Sequence, residues 1–201
     1  MLTIKSNLSE TGQKIVTEFV KYFAKYIKLN HTFKLVEIDI GTVHIGEDTD
    51  NNTMASCRRL VYTSQEKLLY TPHDQIKLDQ FKQFQRESRD FRIEMIIENL
   101  MKDDITFAYF LYCIAHEMGH VKQYVDGDLI FFANRDDNTV RKYWKKELVT
   151  NPGKTEEEYY SLPWEAALYN RESEFIEVVF NFIRENYPGM STTKLHHTFF
   201  V

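Results

Sequence analysis

A chain of 201 residues and 24.0 kDa, with 43% hydrophobic and 14% aromatic residues, suits one domain with its own core, and 7 Gly and 4 Pro argue against long linkers. The formal net charge of −5, with no block of Lys and Arg, argues against nucleic acid as a main partner, and Cys57 and Cys113 without a C-x-x-C pairing argue against a disulfide framework or a thiolate zinc site. Residues Met1 to Glu10 carry no apolar signal core, so a cytoplasmic location without a membrane partner is expected.

Taken in order, Ser9 is placed to cap an amphipathic helix running to about Leu29, with Ile15, Val16, Phe19, Val20, Phe23 and Ile27 at helical spacing. Phe33 to Ile40 alternates in part and is rich in β-branched residues, which predicts a strand that Val43 to Ile45 extends. Arg59 to Thr63 and Lys67 to Thr71, separated by Ser64-Gln65-Glu66, have the length and composition of a hairpin. Three strands would thus precede the central helix. Beyond Pro72, the spacing of Phe81, Phe84, Phe91, Ile93, Ile96, Ile97, Leu100 and Met101 predicts a long helical insertion over about 74–102.

A further helix is expected from about Ile105 to Val125, entered through Asp103-Asp104 and stopped at Gly127. Asn134 to Leu148 reads as another helix, broken by Asn151-Pro152-Gly153. A last helix starts at Leu162-Pro163, with proline suited to the first turn, and continues to Tyr187. The expected class is α+β, a small mixed sheet packed with the central helix and further helices. Residues 1–187 form one domain and 188–201 a C-terminal tail.

The chemistry is concentrated in the central helix. His116-Glu117-Met118-Gly119-His120 sets two imidazoles four residues apart, about one helical turn, so that both fall on one face. Such a pair binds zinc through nitrogen, and Glu117 flanks the ion within reach of water rather than ligating it. With 7 His and 18 Glu in the chain, a chance match to this pattern is expected roughly 0.02 times. The plainer alternative is a pair of satisfied histidines where a core helix emerges. His196-His197 in the tail are adjacent and point apart, which disfavours a shared metal.

A catalytic zinc takes three protein ligands, so one donor is missing. A metzincin-like continuation would need Gly at 123 and a ligand at 126, where this chain has Gln123 and Asp126, and Asp126 falls about 240° round the helix from His120. From Asn151 to Asn186, eight glutamates stand against Lys154, Arg171 and Arg184. Among them Glu165, in the first turn of the last helix and followed by the small Ala166 and Ala167, is the preferred third ligand. Glu172 is the substitute if the register differs, whereas Glu174 points away.

With these residues the chain resembles the zincin metallopeptidases, and more narrowly the gluzincin arrangement of His, His and Glu ligands. The resemblance is carried by residues 105–125 and more loosely by 161–175, and Lys122 departs from the apolar residue common there. It implies Zn2+ at His116, His120 and Glu165, Glu117 as general base, and a peptide or protein substrate lying along a sheet edge. An oxyanion-stabilising donor would also be needed, with Tyr159, Tyr160 and Tyr169 all candidates. A metal-binding regulatory or interaction module with little or no peptidase activity is the alternative.

Overall fold

The structure, a computed structural model, describes residues 3–6, 8–29, 34–40, 55–59, 90–95, 106–134, 139–150 and 153–190. It is an α+β fold. Helix α1 (Glu10–Tyr26) begins where the sequence places it, with the Ser9 hydroxyl accepting from the Gly12 amide at 3.3 Å. Its buried apolar face is Ile15, Val16, Phe19, Val20 and Phe23, and Ile27, the sixth predicted position, is buried at the C-cap.

A four-stranded sheet lies in the order β1-β2-β4-β3, formed by β1 (Thr3–Ser6), β2 (Lys34–Ile40), β3 (Ala55–Arg59) and β4 (Asp90–Met95). β1, β2 and β4 run parallel, and β3 closes one edge antiparallel to β4. Strand β4 corrects the helical insertion expected over 74–102. Phe91, Ile93 and Met95 are all fully buried and alternate with Arg92 and Glu94, so the period here is two rather than 3.6. The remainder of that insertion lies outside the described residues, as do the hairpin strand Lys67 to Thr71 and the extension at Val43 to Ile45.

The central helix α2 (Phe107–Asp126) packs on α1, on β3 and β4, and on the helices that follow. Thr106, not one of the expected aspartates, caps it by accepting from the Tyr109 amide at 3.2 Å. At its other end Gly127 adopts φ 76°, its N–H bonds Tyr124 O at 3.1 Å, and Asp128 N–H reaches Gln123 O at 3.0 Å. These two bonds make a Schellman stop, which needs the left-handed conformation glycine supplies. Among the described residues no helix is long and apolar enough to cross a membrane.

The helix expected over Asn134 to Leu148 is instead an antiparallel meander of β5 (Leu129–Asn134), β6 (Thr139–Trp144) and β7 (Glu147–Val149). Thr139, Val140, Tyr143 and Trp144 favour a strand. The β6–β7 connection is two residues, Lys145 and Lys146, both at positive φ (48° and 79°) as in a type I′ turn. Lacking the usual Asn-Gly, this hairpin carried no turn signal.

A short helix α3 (Glu156–Tyr160) is held by a capping box between Thr155 and Glu158. The single last helix expected from Leu162 to Tyr187 is two, α4 (Pro163–Tyr169) and α5 (Glu172–Asn186). The break falls at Asn170-Arg171, where Asn170 and Ser173 are weak helix formers and Arg171 pairs with Glu174 at 2.6 Å. Glu174 also accepts from Tyr26, and Tyr187 donates to Glu18, so α5 is tied to the last residue and to the middle of α1. The core between them is aromatic, with Phe19 edge-on to Phe182 at 5.2 Å and Phe23 edge-on to Phe175 at 5.1 Å.

Candidate metal centre

His116 and His120 lie one turn apart on α2, 8% and 7% exposed, where the helix is buried on nearly every side. The break after Tyr169 sets α4 as a separate short helix across α2, and its first turn carries Glu165 to both histidines. Glu165 Oε2 is 3.3 Å from His116 Nε2, and Oε1 is 3.4 Å from His120 Nε2. Gly119 inside the motif leaves room for α4: a Cβ there would lie 2.7 Å from Leu168 Cδ2, which would have to shift.

Among the described residues these three side chains form the one cluster of metal-competent donors, with their ligating atoms all within 4.8 Å of one another. The donor set fits zinc. Bonds of about 2.0–2.1 Å in a tetrahedron require donor separations of about 3.3–3.4 Å, and each imidazole has one of the two Glu165 oxygens at that separation, with all three ligand atoms within 4.8 Å of one another.

The other candidates fall elsewhere. Asp126 pairs with Lys122 at 2.6 Å on the exposed side of α2. Glu172 is exposed at the start of α5, past the break, and Glu174 is held by Arg171 and Tyr26. His196 and His197 lie outside the described residues. Glu117 is 7% exposed and close enough for its charge to act on His120 and Tyr159, so it borders the cluster without belonging to it.

Around the donors stands a run of aromatic rings. Tyr169, one turn after Glu165, lies 5.1 Å from His116, Tyr160 lies 5.0 Å from Tyr169, and Tyr112 lies 6.3 Å from His116. Of the three candidate oxyanion donors, Tyr159 is the one on which the charges of both Glu165 and Glu117 act, although the residue is 42% exposed. Burial first, and then the charges of Glu165 and Glu117, push its pKa up, so the phenol stays a proton donor at neutral pH. The buried Tyr112 hydroxyl has no hydrogen-bond partner among the described residues. Cys113 is no nucleophile, since burial and then the Glu117 charge push its thiol up to about 12.

One residue of the site went unread in the sequence. Gln123, three positions after His120 and therefore on its face, receives His120 Nδ1 on its Oε1 at 2.9 Å. Its signal was that spacing alone.

Burial by itself would lower the His120 pKa, but the Glu165 hydrogen bond and charge raise it from 6.5 to about 9. Burial would raise that of Glu165, and the two imidazoles lower it from 4.5 to about 2. In the metal-free protein the pair therefore stabilises the fold fully between about pH 4.5 and 6.5. That contribution fades as pH rises through about 9, when His120 loses its proton, and as pH falls toward about 2, when Glu165 gains one. Thermal unfolding in a strong chelator is expected to show lower stability from this pair at pH 9 than at pH 6. Zinc affinity should run the opposite way, strengthening with pH as His120 releases its proton to make room for the ion.

Compared with protein-family models, with curated proteins and with solved structures, the chain matches none. The reading of the site therefore rests on its own geometry.

Proposed function

We propose that this protein is a zinc-dependent peptide hydrolase of the gluzincin-like zincin type, with His116, His120 and Glu165 holding the ion. The observation that carries this is the convergence of two imidazoles and one carboxylate, buried and at zinc-ligand separations, beside a fourth group, Glu117, that is not part of the cluster. Zinc bound there would act as a Lewis acid toward a carbonyl and lower the pKa of water from 15.7 toward about 7.

The remaining roles belong to the chain. Glu117 accepts the proton of the attacking water on a carboxylate oxygen and returns it to the departing amine. Tyr159, protonated at neutral pH and reaching the Glu165 side of the site, is the favoured donor to the oxygen on which charge develops. The antiparallel edge strand β3, packed near α2, supports the view that an extended peptide is the substrate.

The test is metal analysis of the purified protein, followed by digestion of a denatured protein with and without chelator. About one zinc per chain and cleavage abolished by chelator are the expected results. Zinc in less than about a tenth of molecules would refute the metal centre. Stoichiometric zinc without cleavage would favour a metal-binding regulatory module instead.

A further inference from the structure

Gln123 is 7% exposed and makes two hydrogen bonds through one amide, in opposite directions. Its Nε2 donates to the Trp164 carbonyl at 2.9 Å, and its Oε1 faces His120 Nδ1 at 2.9 Å. The first bond orients the second. A carbonyl oxygen only accepts, so the amide nitrogen must face Trp164, and the amide oxygen is what remains for the imidazole. His120 Nδ1 must then carry its hydrogen and donate. Once His120 is neutral, its lone pair lies on Nε2, the atom that faces Glu165.

The Trp164 carbonyl belongs to the peptide unit leading directly into Glu165. One side chain on α2 thus grips the second histidine, three residues away, and the backbone that delivers the carboxylate, 41 residues away. Lys142 on β6 sits 5.7 Å from the Trp164 ring centroid, so the same point of α4 is also held from the meander.

We infer that Gln123 is a positioning residue of the metal centre, its Oε1 selecting the His120 tautomer that leaves Nε2 free for the ion, with the Trp164 bond fixing which way the amide faces. This rests on the reading that the cluster binds zinc. Outer partners of metal-ligating histidines commonly contribute about 10–100-fold in metal affinity.

The test uses the full chain stripped of metal, with zinc affinity measured by competition against a chromophoric chelator and cobalt(II) absorption as a report on ligand geometry. Gln123→Met, close in volume but at best a weak acceptor from Nδ1, is expected to weaken zinc by about 10–100-fold and to alter the cobalt spectrum. Gln123→Glu keeps an oxygen at Nδ1 and is expected to recover most of that affinity, although it loses the donation to Trp164. Wild-type affinity and an unchanged cobalt spectrum in Gln123→Met would overturn the inference. So would a glutamate variant that binds no better than the methionine one, since the loss would then come from packing. If Gln123→Met fails to fold, a loss of about tenfold or more in Gln123→Glu alone overturns it. Absence of zinc uptake by the unaltered protein is a separate result, which removes the metal centre itself.

Discussion

Glu117→Gln is expected to retain zinc and to lose hydrolysis by about 10²–10⁴-fold, the range for removing a positioned general base. The substitution keeps the size and polarity of a side chain that is 7% exposed, and it removes the one property the proposed reaction needs, a carboxylate oxygen that takes a proton. Zinc retention follows because Glu117 is outside the group of three donors. The measurement is paired, metal content together with turnover of a denatured-protein substrate. Unaltered turnover in a fully loaded variant would rule out Glu117 as the base. Loss of both zinc and activity would mean that Glu117 supports the ion itself.

The second large effect concerns the third ligand. Glu165→Ala should abolish stoichiometric zinc binding, a greater loss than the 10–100-fold typical of outer partners, because the carboxylate is the only donor that α4 contributes to the cluster. Glu172→Ala should bind zinc as the unaltered protein does, since that carboxylate is exposed on α5 beyond the break at Asn170-Arg171. Retention of zinc in the first variant with loss in the second would reverse the assignment. The metal-free Glu165→Ala protein also loses the carboxylate that raises His120. Its dependence of stability on pH between 6.5 and 9 should therefore flatten, which separates loss of a ligand from general unfolding.

How far the order of residues alone reached is clearest at particular elements. Helices α1 and α2 were legible because their signals are local. Ser9 caps the first, Gly127 stops the second, and the apolar positions of α1 recur at a spacing only a helix can bury. Strand β4 and the β5–β7 meander were misread for a different reason. Phe91, Ile93 and Met95 carry a period of two, but their neighbours in sequence supply spacings of three and four as well, and only burial against α2 and β2 decides between them. The Lys145-Lys146 turn shows the same limit, because its positive φ values come from strand pairing and not from residues that prefer them.

The His116-Glu117-His120 pattern returns to where it began, with its reach now divided. Two imidazoles on one face follow from a four-residue spacing in any α-helix, so that half of the centre, and the carboxylate beside it, could be read directly. The choice of Glu165 over Glu172 was open in the sequence, since an unbroken helix would align both. The break after Tyr169, with Gly119 leaving room for Leu168, is what sets Glu165 rather than Glu172 against the two histidines. Gln123 was invisible for the same reason: its amide acquires a role only when the carbonyl of Trp164, 41 residues away, is brought to it. Contacts between neighbours along a helix are written in spacing, whereas those between helices arise only when the chain folds back on itself.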